Sequence, residues 1–266
     1  MNKISRKVSL EESKKIMYEI LKSVDDCCRK HNLRYTLDWG TLLGAVRHHG
    51  FIPWDDDIDL SMPREDFNKF REVFNNDRYD VLTADDPQWG WNYMRICDKT
   101  TIVIFDANAE KIRRHGLWLS IFPIDGIPDS TSQWERQKKK INFFHGLCRL
   151  KRSGWTDGVS FIRNFLKMVA RLTLKLVPMT WLAKKEEFWL SKVNIKDSEM
   201  SFQRDIDYHA RPSRYYFDYV DLDFEGGKFM AIAEYHKYLT DEFGDYMQFP
   251  PEDQRVPSHG YVAYYK

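Results

Sequence analysis

The chain has 266 residues, of which 42% are hydrophobic and 30% charged, with a formal net charge of +1. That length can bury a core for one decorated domain or two small ones, and the near-neutral balance argues against a nucleic-acid partner. The chain contains no run of about 18 apolar residues, no apolar signal-peptide core in MNKISRKVSLEESKK, and no CxxC pair or metal spacing among Cys27, Cys28, Cys97 and Cys148. The expectation is a cytoplasmic protein with free thiols.

Ser9 with Glu12 forms a capping-box pattern. Ile16, Ile20, Val24 and Cys27 then recur at helical spacing, which predicts an amphipathic helix over 10–30 that stops at Asn32. LRYTLDW alternates and predicts a strand ending at Gly40, and TLLGAVR a short helix. DIDLSM predicts a strand closed by Pro63, and REDFNKFREVF a helix with acids in its first turn. YDVL, WNYMRI, TIVIF and LWLSIFPI follow as strand-like pieces. This order predicts an α/β (α+β) fold in which helices pack on a mixed sheet. Residues 131–200 have a mostly helical pattern and carry fifteen Lys/Arg against six Asp/Glu, a net +9 that leaves −8 for the remainder. From about 214 aromatics dominate, with a helix near AEYHKYLTDEF. The expected organisation is a catalytic core over 1–130, a basic helical insert over 131–210, and a C-terminal segment, 211–266, that returns to the core.

The densest chemistry lies in WGTLLGAVRHHGFIPWDDDIDL, residues 39 to 60, where Asp55, Asp56, Asp57 and Asp59 fall within five positions. Alternate residues of a strand share a face, so Asp57 and Asp59 are expected to point the same way while Ile58 and Leu60 point into the core. Two carboxylates side by side are unfavourable unless a cation lies between them. Mg²⁺ takes oxygen ligands at about 2.0–2.1 Å and shares them with phosphates, so the spacing asks for a divalent metal and a phosphate ester. An acidic turn is the bland alternative. An EF-hand fails, because Leu60 stands where that loop needs Gly and Asp66 where Glu is usual. Gly40 and Thr41 lie at a strand-to-helix junction, where backbone N–H groups can hold a phosphate. Gly-Thr followed by Asp-Ile-Asp-Leu resembles the polymerase-β type of nucleotidyltransferase fold.

The longer block TLDWGTLLGAVRHHGFIPWDDDIDLSMPREDF resembles the signature of the LicD family of phosphotransferases, related to fukutin and fukutin-related protein. GLWLSIFPIDGIPD resembles the family's second core strand, and DFEGGKFMAIAEYHKYLTDEFGDYMQFPPEDQRVPSHG its closing segment. The resemblance implies a polymerase-β-type nucleotidyltransferase core. It also implies Mg²⁺-dependent transfer of a phospho-substituent, often phosphocholine from CDP-choline, onto a sugar hydroxyl of a cell-surface glycan or lipid-linked, teichoic-acid-type precursor, with CMP leaving. Carried over, Gly40 and Thr41 contact phosphate and Asp57 and Asp59 hold metal, with Asp55 an outer ligand and Asp56 structural. The family strand usually reads Asp-Ile-Phe-Pro, and here it reads Ser120-Ile121-Phe122-Pro123. Asp125 or water is then expected to complete the metal shell, or a carboxylate from elsewhere in the chain.

A diphosphate donor needs cationic partners, for which Arg47, Arg95 and Lys99 are candidates. Arg255 and His259, in DQRVPSHG, match the terminal block and are candidates to return to the site. Trp89, Trp91 and Tyr93 share strand parity and are candidates for an aromatic cage around a quaternary ammonium. In FIRNFLKMVARLTLKLV, Arg163, Lys167, Arg171 and Lys175 recur every four residues beside an apolar stripe. That pattern suits either a core-packed helix with a solvated face or peripheral contact with the inner membrane face. Two other readings keep the fold: a nucleotidyltransferase that releases pyrophosphate, and a non-catalytic membrane-associated adaptor.

Overall fold

The computed structural model of the chain describes residues 5–87, 89–105, 115–152, 160–204 and 208–266. Helix α1 (Leu10–His31) begins at the expected capping box. Ser9 accepts from the Glu12 N–H, the Glu12 carboxylate accepts from the Ser9 N–H, and Asn32 closes the helix in the left-handed conformation. The short β1 (Thr36–Leu37) leads into α2 (Trp39–His48), β2 (Asp59–Pro63) and α3 (Arg64–Val73). Then come β3 (Tyr79–Leu82), β4 (Met94–Asp98), β5 (Thr101–Phe105) and β6 (Trp118–Gly126). A helical stretch follows: α4 (Thr131–Arg152), α5 (Phe161–Thr173) and α6 (Met179–Leu190). The chain closes with β7 (Met200–Arg204), β8 (Tyr208–Pro212), β9 (Tyr219–Phe224), β10 (Gly227–Ile232), α7 (Tyr235–Phe243) and β11 (Tyr261–Tyr265).

The main sheet runs β1-β2-β6-β4-β3, with β7 on β6 and β8 on β7. β2 and β6 are parallel and the other pairs antiparallel, so the sheet is mixed as expected. Its two faces follow from period two. The row Leu60, Ile121, Met94 is buried in the main hydrophobic cluster with Met17, Ile20, Leu21 and Val24 of α1 and Phe67 and Phe70 of α3. The neighbouring row Asp59, Ser120, Arg95 must therefore face the other way. That alternation builds the site.

Four details differ from the sequence-based expectations. LRYTLDW yields only a two-residue strand, because Asp38 is used to cap α2. Strand β2 starts at Asp59, so Asp57 lies in the loop before it. TIVIF forms a separate ribbon with β11. β7 and most of β8 fall within the expected insert 131–210 but pair into the main sheet through β6, so the helical part of that segment ends with α6 and its following turn. Among the described residues, no helix is long and apolar enough to cross a membrane.

Candidate active site

Asp38 organises the junction from which the site is built. Its side chain is buried and accepts from the Trp39 N–H at 2.8 Å, from Gln203 Nε2 at 3.0 Å, and from the Ser61 and Tyr238 hydroxyls. A buried carboxylate is tolerated when its lone pairs are met in this way. Trp39 opens α2 at φ 38°, a sparsely populated conformation for a bulky residue. Edge-on contacts with Phe122 and His209 hold its ring at centroid separations of 5.0 and 5.7 Å. Gly40 follows, and here the lack of a side chain is needed: a Cβ would meet Asp55 Oδ2 at 2.7 Å. The loop that delivers Asp55 is pinned from behind by Lys14 of α1, whose Nζ donates to the carbonyls of Ile52 at 2.9 Å and Pro53 at 2.8 Å.

Asp59 on β2, Ser120 on β6 and Arg95 on β4 are direct neighbours in register. With strands about 4.8 Å apart, a carboxylate, a hydroxyl and a guanidinium span about 10 Å of one sheet face. A cleft of about 490 Å³ opens over this row. Gly40, Asp55, Asp57 and His259 line it beside Asp59, and Trp39, Tyr93, Phe122 and His209 supply an aromatic side. Tyr93 and Phe122 stack at 4.7 Å between centroids. Arg95 lies over the Trp118 ring at 4.3 Å, and among the described residues its buried Nε has no hydrogen-bond partner. A guanidinium on the lining of a cleft is suited to an anionic ligand.

The electrostatics separate two groups of acids. Burial, then the charge of Asp57 and a hydrogen bond shared with it, push the Asp55 carboxyl up to about 7. Burial also raises Asp57 against the pull of His259. Asp59 is raised well above the usual carboxylate range by burial and by the charges of Asp57, Asp38 and Asp55, with Arg95 opposing. Asp56 behaves differently. Burial works against its charge, but the hydrogen bond and charge of His259 outweigh it and lower the Asp56 carboxyl. Its oxygens accept from His259 Nδ1 at 2.9 Å and from the Ser258 hydroxyl at 3.3 Å. His259 is raised: burial is overcome by the Asp56 hydrogen bond and the charges of Asp57 and Asp56. Its Nε2 lies 3.5 Å from Asp57 Oδ2.

A hydrogen bond between Asp55 and Asp57 requires a shared proton; a divalent cation is the other means of holding two carboxylates together. Asp55, Asp57 and Asp59 line one cleft and carry oxygen donors of the hard kind that Mg²⁺ takes. Among the described residues the donor atoms that lie within 4.8 Å of one another are those of Asp56, Asp57 and His259, and Asp56 is committed to orienting His259.

Asp55 carries a stability prediction. Its folded-state pKa is raised from 3.8 to about 7, so between those values the folded protein keeps a proton that the unfolded chain releases. Stability is then lost as pH rises through that window. In EDTA the melting temperature is expected to fall between about pH 4 and pH 7 and to level off above that. Asp55→Asn should flatten that slope and raise the pH 8 value by several degrees, an effect on the order of 2 kcal/mol. Thermal unfolding checks this; parallel pH profiles for the two proteins would refute it.

The cleft thus brings together seven of the residues picked out in the sequence: Gly40, Asp55, Asp57, Asp59, Tyr93, Arg95 and His259. The others lie elsewhere. Thr41 is buried beneath the cleft, where its hydroxyl accepts from the Asp59 N–H at 2.9 Å, so it places the β2 terminus. Arg47 donates to the carbonyls of Tyr246 and Gln248 and ties down the C-terminal segment. Lys99 is exposed and donates to the Asp77 carbonyl. Trp89 is buried and donates to the Tyr93 carbonyl, while Trp91 lies under the Arg152 guanidinium at 3.6 Å. Arg255 donates to the Pro250 carbonyl and lies 5.7 Å from the Trp54 ring.

Asp125 is the main correction. It is five residues beyond Ser120 on β6, an odd separation that puts it on the opposite sheet face about 16 Å along the strand. There Arg64 grips it through two hydrogen bonds of 2.8 and 2.6 Å. The third-carboxylate position in the cleft is Ser120 itself. The sequence reading missed Asp38, Ser120 as a lining residue, and the aromatic set Trp39, Phe122 and His209. Asp38 had a local signal, an Asp directly before a helix; His209 had none, because β8 reaches the cleft through tertiary pairing.

Residues 32–156 match the family described as LicD/FKTN/FKRP, nucleotidyltransferase domain. The lipopolysaccharide cholinephosphotransferase LicD of Haemophilus influenzae is 30% identical over 97% of this chain and 99% of its own length. The chain belongs to the LicD family. An uncharacterised protein of Rickettsia prowazekii is 36% identical over 36% of this chain and 34% of its own. Ribitol 5-phosphate transferase FKRP of Homo sapiens is 46% identical over 15% of this chain and 8% of its own. As a LicD-family member this chain is a phosphotransferase enzyme.

Proposed function

We propose that this LicD-family enzyme transfers phosphocholine, or a similar phospho-substituent, from a CDP-activated donor to a sugar hydroxyl. The acceptor would be a cell-surface glycan or a lipid-linked precursor of the teichoic-acid type. The observation that carries this reading is the composition of one cleft: three carboxylates, a guanidinium and stacked aromatic rings around a single row of the sheet. The core around that row is read as the polymerase-β type of nucleotidyltransferase, in keeping with the description of the matched family.

Asp55, Asp57 and Asp59 are the residues to hold Mg²⁺, which when bound supplies Lewis-acid stabilisation of charge on the transferring phosphate. Arg95, which lines the cleft, pairs with donor phosphate oxygens through its guanidinium. The aromatic side of the cleft, Trp39 with the stacked Tyr93–Phe122 pair, suits a trimethylammonium group by cation–π attraction, in place of the cage expected at Trp89, Trp91 and Tyr93. The acceptor oxygen forms the new bond to phosphorus, the bond from phosphorus to the CMP oxygen breaks, and CMP leaves with the electron pair. The acceptor proton passes to a carboxylate of the cluster. Asp56 holds His259 by Nδ1 and so presents Nε2 to Asp57, which keeps that carboxylate oriented.

The test is incubation with CDP-choline labelled in the choline methyls and a glycolipid acceptor, with and without Mg²⁺. Label is expected on the acceptor with stoichiometric CMP release, and EDTA should abolish both. Pyrophosphate release from a nucleoside triphosphate, with the nucleotide on the acceptor, would overturn the reading in favour of nucleotidyl transfer. No turnover with any CDP-linked donor would favour the adaptor.

A further inference from the structure

We propose that α5 is a lipid-contacting helix that seats the enzyme on an anionic membrane surface. In α5, Ile162, Phe165, Val169 and Leu172 fall within an arc of about 80° at 100° per residue. A helix that packs on a protein core turns such a stripe inward. Here all four side chains are exposed, Ile162 at 71% and Leu172 at 56%, and Leu176 in the 3₁₀ turn that follows is 93% exposed. Among the described residues of α5 the buried one is polar, Asn164.

Charge selects the occupant. Arg163, Lys167 and Arg171 occupy an arc distinct from the apolar stripe, and Lys175 follows them. Residues 158–185 contain six Lys/Arg and no Asp/Glu. A second copy of the chain would bring like charges together, whereas anionic headgroups complement the basic arc while acyl chains take the apolar one. Phe143 on α4 and Trp181 on α6 are also exposed, and aromatic side chains of this kind favour the headgroup boundary.

A short chain of contacts joins this helix to the cleft. Lys151, near the end of α4, donates to the carbonyls of Leu174, at 2.8 Å, and Val177. Arg152 beside it donates to the carbonyls of Trp89 at 3.0 Å and Gly90 at 2.7 Å, and its guanidinium covers Trp91. Two residues further on, Tyr93 lines the cleft. A membrane-seated α5 therefore holds the aromatic side of the cleft near the lipid surface, a useful placement if the acceptor is lipid-linked. That benefit rests on the function proposed above; the docking does not.

The full-length protein is floated with vesicles of phosphatidylcholine alone or with about 30% phosphatidylglycerol. Binding to the anionic vesicles is expected, weakened between about 0.1 M and about 0.5 M salt. Phe165→Glu/Leu172→Glu should weaken it at least about tenfold, and so should Arg163→Gln/Lys167→Gln/Arg171→Gln. These side chains are exposed, so unchanged melting temperatures will show that the variants fold. Failure of the wild-type protein to float with anionic vesicles, or equal flotation of the variants, overturns the proposal. Self-association that Phe165→Glu/Leu172→Glu abolishes, without vesicle binding, assigns the face to a second copy and overturns it as well. Phosphotransfer to a water-soluble acceptor is read separately, so the two proposals fail independently.

Discussion

Asp59→Ala is expected to lower phosphotransfer by at least about 10³-fold while leaving the melting temperature unchanged or higher. The two halves of that result have one cause. Asp59 sits at the head of β2, held by the Thr41 hydroxyl on its own N–H, in a cleft where burial and three neighbouring carboxylates oppose its charge. In the metal-free protein the carboxylate is a destabilising group, and removing it relieves repulsion without opening a core cavity. In the working enzyme the same oxygens are assigned to the metal that steadies the transferring phosphate, so their loss removes stabilisation made chiefly in the transition state. Steady-state assay of CMP release and thermal unfolding with and without Mg²⁺ check this. The variant should also lose most of the Mg²⁺-induced rise in melting temperature. Turnover within about tenfold of wild type would remove Asp59 from the site.

Much of this was legible in the sequence, for local reasons. The capping box at Ser9, the apolar spacing of the first helix and its stop at Asn32 are all encoded within a few residues of the features they control. Strand β2 and its face alternation were readable because Ile58, Leu60 and Met62 mark the buried side. What escaped depends on pairing between distant segments. Asp57 reaches the cleft from a loop and not from the strand parity expected of it. The neighbours Ser120 and Arg95 are set by β6 lying between β2 and β4, a sheet order that local pattern does not specify. The aromatic lining of the cleft escaped for the same reason. Trp89 and Trp91 have the right alternation, but the helical stretch takes Trp91 as a platform for Arg152, and the cleft draws instead on Trp39 and Phe122. The family resemblance pointed to 39–60, whose Gly40, Asp55, Asp57 and Asp59 line the cleft, and offered Asp125 as third carboxylate, which the register of β6 places on the opposite face.

That misplacement makes the second large effect a matter of stability. Arg64 opens α3, and its guanidinium meets Asp125 through two hydrogen bonds, with side-chain exposures of only 9% and 2%. Glu187 of α6 approaches the same guanidinium at 3.3 Å and also accepts from Arg71 at 3.1 Å, so the helical stretch is fastened to the sheet here. Removing one partner of a buried pair leaves the other charge without compensation, at a cost of about 3–5 kcal/mol. Arg64→Ala is therefore expected to lower the melting temperature by roughly 10 °C. Replacing both partners removes the charges together, so Arg64→Met/Asp125→Leu should recover most of the loss. Asp125→Asn separates structure from catalysis, since the amide keeps one acceptor for Arg64 while losing the capacity to bind metal or take a proton. Below its melting temperature this variant should retain kcat within a few-fold of wild type. A loss of about 10²-fold or more in kcat with the fold intact would return Asp125 to the catalytic centre, and would require β6 to be shifted in register against β2.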